Sequence, residues 1–237
     1  MNISLTRALR DLWLPQNRLA TLMIPIVLGS ATWLVRKFFG GAAEIAISLL
    51  NVGYSLQAIR DFHRHEEDTR LPPASALFTG LPLCFSFCLA NLPHLGVMML
   101  LGFSILILGS KAWMGAGLWL VGCYFLAWMF AYDALAINFT RHLQLGDALN
   151  LKKAFSLIAQ ARSPYFQATL LPFILVFPIF WALGYLDKIY GLGGLPLLPG
   201  LILSQLSILW NLTAVKQWMR LLQPSPPEKL EPGLNPS

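Results

Sequence analysis

The sequence predicts an all-α integral membrane protein: six transmembrane helices plus interfacial amphipathic helices, with both termini cytoplasmic. Three observations carry this expectation. Of 237 residues, 56% are hydrophobic and only 12% are charged, roughly half the share of a soluble domain, so too few ionised side chains exist to coat a water-facing surface. Charge-free runs of membrane-spanning length recur along the chain, and Lys and Arg collect in alternate gaps between them, as cytoplasmic loops require. A soluble globular enzyme and a disordered chain are both excluded on these grounds.

The N-terminal segment 1–18 places Leu5, Leu9, Leu12 and Trp13 at helical spacing, with Arg7, Arg10 and Asp11 facing elsewhere and Pro15 as a stop. This predicts a cytoplasmic interfacial helix with Trp13 at headgroup depth. Charges reaching Arg18, with no small-residue cleavage site after the apolar run, distinguish it from a signal peptide.

Crossings are read from the charge-free runs 19–35, 45–59, 71–110, 112–132, 163–186 and 189–215, since a helix rising about 1.5 Å per residue needs about 20 apolar residues to cross the hydrocarbon core. The 40-residue run 71–110 decides the topology. It is either two spans turning at Pro93-His94, or an interfacial segment near 72–79 followed by one long, proline-bent span. The second choice puts 13 cations inside and 4 outside, whereas the first gives 8 against 9; the positive-inside rule selects the second. The expected spans are about 19–36, 42–59, 81–109, 112–138, 165–187 and 195–219, forming one membrane domain over 19–222. The proline-rich tail 223–237 is expected to be disordered and cytoplasmic.

A second interfacial helix is expected in the loop after Arg141. Asp147 can cap it and Pro164 bounds it. Ala148, Leu151, Phe155 and Ile158 fall on one stripe, opposed by Lys152, Lys153, Ser156 and Gln160. The lysines would reach anionic lipid phosphates while Phe155 enters the acyl boundary.

Candidate chemistry is sparse. Cys84, Cys88 and Cys123 lie inside apolar spans, where thiols behave as small hydrophobes. His63, His65 and Glu66 are candidate metal ligands in a short charged run, although a solvated run of alternating charge accounts for the same residues and is preferred. Asp133 lies inside an apolar run, where an ionised carboxylate costs several kcal/mol at mid-bilayer. With His94 beside Pro93, and Asn138, it is the candidate intramembrane polar site. Asp133 either serves as a proton or cation ligand facing a cavity, or bonds an Arg, Asn or Trp of a neighbouring helix; the structural role is preferred. Pro93, Pro172 and Pro178 are expected to bend their helices and free backbone carbonyls. Asn51, Asn138 and Asn211 each precede a basic group at the end of an even-numbered span, as three tandem helical hairpins would produce.

The order of these features resembles the prokaryotic membrane-protein family known as domain of unknown function 4013, found in archaea and bacteria, including cyanobacteria. The matching residues are Gly53-Tyr54, Arg60, Leu71-Pro72, Gly80, Leu92-Pro93, Arg141, Gly146-Asp147, Ala154-Phe155, Ile158 and Pro164-Tyr165, spread over about 5–220. Pro73-Ala74-Ser75 stands where the family usually has acidic or aromatic residues. The resemblance implies six helices in a prokaryotic cytoplasmic membrane, or a thylakoid in a cyanobacterium, and brings no activity with it.

No nucleotide loop, nucleophile elbow, HExxH or Rossmann fingerprint is present, so no enzyme activity and no cofactor is expected. The expected function is a non-enzymatic multi-pass protein that organises or assists assembly of other membrane components. Its partners are the lipid bilayer and either a membrane protein or a second copy of itself; the net charge of +6 requires no nucleic acid. The alternative is a small permease using Asp133 and the proline-bent helices. A membrane-embedded enzyme built on His63, His65 and nearby carboxylates is a third idea.

Overall fold

The computed structural model describes residues 3–39, 41–64, 70–108, 111–191, 194–195 and 197–222. Among them the chain is helical with no strand. The helices run α1 (Leu5–Leu12), α2 (Arg18–Phe39), α3 (Gly41–Arg64), α4 (Ala76–Thr79), α5 (Leu81–Leu108), α6 (Lys111–His142), α7 (Leu145–Leu149), α8 (Leu151–Gln160), α9 (Arg162–Thr169), α10 (Leu171–Tyr190) and α11 (Leu197–Leu221). The segments Arg18–Phe39, Ala76–Ser104, Gly117–His142, Arg162–Tyr190 and Leu197–Leu221 are long and apolar enough to cross a membrane. The chain thus has the makeup of a multi-pass helical membrane protein.

The expected second span, α3, is not among those five segments. Its 24 residues give it the length, about 36 Å at helical rise. However, Asn51, Gln57, Arg60, Asp61 and His63 dilute its apolar character. The 40-residue run folds as the short α4 followed by one helix, α5, which stays continuous through Pro93.

Helix packing follows from where small residues allow backbones to approach. A Cβ on Gly80 would overlap the Gly53 carbonyl, and one on Gly53 would lie 2.9 Å from the Gly80 carbonyl carbon. These two glycines therefore set the α3–α4 distance. Gly29 does the same between α2 and α11, where a Cβ would meet Ile202 at 2.8 Å.

The core sits at the end of the bundle that carries Arg60 and Arg141. Tyr54, Leu56 and Ile59 of α3, Leu135, Ile137 and Phe139 of α6, Tyr165 of α9, and Leu209, Leu212, Val215 and Trp218 of α11 are among its fully buried side chains. Toward the other end, Phe38, Phe39, Met99, Leu100, Phe103, Leu118, Trp119, Trp181 and Tyr185 are exposed. In the most apolar window of α11, 56% of residues are buried, against 13% over α9 and α10. Among the described side chains, burial is concentrated at the end that carries Arg60 and Arg141.

Two local expectations are corrected. In α1, capped by Ser4 accepting from the Arg7 N–H, Ala8 and Leu12 are fully buried while Leu9 and Trp13 are exposed. The helix packs on α11, because Ala8 is small enough to bring its carbonyl within 3.1 Å of Thr213 Oγ1. Second, Asn150 caps α8 by accepting from the Lys153 N–H at 2.9 Å, and Asp147 lies inside α7. The face of α8 turned toward α6 is Ala154, Leu157 and Ile158, and Phe155 is exposed. The tail 223–237 lies outside the described residues.

Candidate functional site

Asp133 is the acidic residue that α6 carries into the bundle, and it is only 7% exposed. Its Oδ2 accepts from Thr169 Oγ1 at 3.0 Å and from Asn211 Nδ2 at 3.3 Å. Two helices besides its own therefore meet at one carboxylate oxygen. The local cause is Pro172. Lacking an N–H, it leaves the carbonyl of residue 168 without its usual helical donor. The helix breaks there, α9 ending at Thr169 and α10 starting at Leu171 with Pro172 in its first turn. Asn211 Nδ2 supplies the missing donor, reaching the Ala168 carbonyl at 3.1 Å. Tyr165, fully buried one turn earlier, donates to the Phe130 carbonyl of α6 and packs on Trp218 of α11. The result is a closed polar junction of α6, α9 and α11.

A second polar seam joins α5 to α6 on either side of Pro93. Trp128 Nε1 donates to Asn91 Oδ1 at 3.0 Å, and His94 Nδ1 lies 2.6 Å from the Tyr124 hydroxyl. Residues three apart on α5 thus meet residues four apart on α6, as antiparallel helices in contact allow. Asn91 Nδ2 also bonds the Phe87 carbonyl.

Asp133, His94 and Asn138 are not brought into one site. His94 bonds a residue nine positions before Asp133, about 14 Å away along the helix. Asn138 lies beyond Asp133 in the other direction, with its Nδ2 buried and without a hydrogen-bond partner. His63 ends up at the last turn of α3, with Nε2 at 3.3 Å from the Ile137 carbonyl; His65 and Glu66 lie outside the described residues. Trp13 and Lys152 are exposed. Lys153 is exposed too, but its Nζ pairs with the buried Asp147 at 2.7 Å.

Sequence reasoning missed Asn17, which is fully buried. Its Nδ2 donates to the Asp11 carbonyl and its Oδ1 accepts from the Leu71 N–H, both at 2.7 Å. It ties the α1–α2 turn to the segment leading into α4. It sits among Pro15, Gln16 and Arg18 and reads as one more polar turn residue, so nothing local distinguishes it. Thr169 and Asn211 had a usable signal: Asn211 is an amide inside an apolar run, and Pro172 announces an unpaired carbonyl four residues earlier.

No protein-family model matches the chain, and no curated protein or solved structure matches it.

Proposed function

We propose that this chain is a non-enzymatic membrane protein of six crossings, with α3 as the sixth, that organises or assists assembly of other membrane components. The same reading covers the resemblance to the domain of unknown function 4013 family and a cytoplasmic placement of both termini. One contrast supports the reading. Intramembrane polar groups at Asp133, Asn91 and His94 bond neighbouring helices of the same chain, while broad apolar faces of α5, α6 and α10 are exposed. On α5 and α6 those faces include Gly96, Gly102, Gly115 and Gly122, where an added Cβ would meet nothing within 4 Å. Openings of this kind let a further helix approach closely.

The permease alternative requires Asp133 on a path. Its carboxylate is instead engaged by Thr169 and Asn211 of neighbouring helices.

Purification in mild detergent tests the proposal. A stoichiometric membrane-protein partner, or a second copy, is expected to co-purify and to be lost when Gly122→Leu fills the outward face. Recovery as a lone monomer under several detergent conditions overturns the proposal.

A further inference from the structure

The last turns of α3 and α6 end side by side, and a cleft of about 390 Å³ opens between them. It is lined by Arg60, His63, Arg64, Thr140, Arg141 and His142, with Leu143 closing it. That volume holds a phosphate group with several waters, each water taking about 30 Å³.

Two ordinary causes put basic residues here. Each helix carries basic residues in its last turn, where they complement the negative end of the helix dipole. The positive-inside rule also favours Lys and Arg beside a span. Neither cause requires cations from two helices to converge on one concavity. Three guanidinium groups do so here, beside two imidazoles, and no carboxylate is among the described lining residues. Among the described residues, no ion pair engages Arg60, Arg64 or Arg141. Asp61, next to Arg60 in the chain, accepts instead from Gln57 Nε2 at 2.8 Å on its own helix. Like charges held together in this way repel one another unless an anion joins them.

The donor set specifies the anion. Guanidinium groups present paired N–H donors that match two oxygens of one phosphate. His63 Nε2 donates to the Ile137 carbonyl, so that proton is used within the protein and the arginines supply the donors to the anion. The cleft lies at the His142 end of the candidate span Gly117–His142, the depth at which phospholipid headgroups begin.

We propose that this cleft is a phosphate-binding site, filled by the headgroup phosphate of an acidic phospholipid or by a free phosphate anion. The inference is independent of any role in assembly. The full-length protein, purified in dodecyl maltoside, is titrated with phosphatidic acid, phosphatidylcholine and inorganic phosphate. Binding is read from the thermal unfolding midpoint and tryptophan fluorescence. Arg60→Gln combined with Arg141→Gln is compared with Lys152→Gln, which removes an exposed cation away from the cleft. If the ligand-free midpoint shows the double variant to be misfolded, the exposed pair Arg64→Gln and His142→Gln replaces it.

Phosphatidic acid is expected to raise the midpoint of the wild type and of Lys152→Gln. Each arginine removed should weaken binding about tenfold, in line with charge-assisted hydrogen bonds. If inorganic phosphate reproduces the effect, the ligand is a soluble phosphate; if only the acidic lipid does, it is a headgroup. The proposal is overturned if neither probe shifts the midpoint, or if the cleft variants respond as Lys152→Gln does.

Discussion

Asn211 and Asp133, 78 positions apart in the chain, meet across α6 and α11 at 3.3 Å, and the same amide nitrogen reaches the Ala168 carbonyl at 3.1 Å. One side chain thereby serves two buried acceptors, one created by a carboxylate and the other by a proline. Asn211→Leu leaves both with fewer donors and is expected to destabilise the protein by about 2 kcal/mol, the cost of stranding buried polar groups. Asp133→Asn keeps an oxygen facing Thr169 and should cost less than about 1 kcal/mol, near the average for interhelical hydrogen bonds in membranes. Thermal unfolding in detergent measures both; equal losses would refute the double role of Asn211.

Gly80→Ala places a methyl against the Gly53 carbonyl, so α3 and α4 must separate. A loss of about 1–3 kcal/mol is expected, as for other overpacked contacts. Gly122→Ala adds the same methyl in open space and should be neutral, or stabilising by up to about 1 kcal/mol through helix propensity. Comparing the two unfolding midpoints separates close packing from a general intolerance of larger residues.

Leu143 ends α6 with φ at +55°, a left-handed conformation that a side chain disfavours and glycine accepts. Leu143→Gly should therefore stabilise the protein by about 0.5–1 kcal/mol, measured by denaturant or heat. Destabilisation would mean that the leucine side chain contributes packing that outweighs the backbone strain.

Topology is open to a direct chemical check. With α3 as a crossing, Lys37→Cys and Arg64→Cys lie on opposite leaflets. A membrane-impermeant thiol reagent should modify one from one side of sealed vesicles and the other only from the opposite side. Labelling of both from the same side would remove α3 from the six crossings.

Much of this architecture was legible because it is written in local terms. Charge-free runs mark α2, α5, α6, α10 and α11 directly, and Pro172 marks the junction of α9 and α10. What was not legible depends on pairing between distant elements. The inward face of α8, with Ala154, Leu157 and Ile158, is set by what α6 can admit. The burial of Asn17 depends on Leu71, 54 positions away. Asp133 could be flagged from the sequence as a buried acid, but its partners Thr169 and Asn211 follow only once three helices share a junction. Likewise the cleft of Arg60 and Arg141 is seen as two routine basic helix ends until the bundle sets them side by side.

The concentration of buried side chains around Tyr165, Trp218 and Asp133 has a consequence for local opening. Amides in the turns around these residues are expected to exchange with solvent deuterium more slowly than those in the outer turns of α5, whose side chains Met99, Leu100 and Phe103 are exposed.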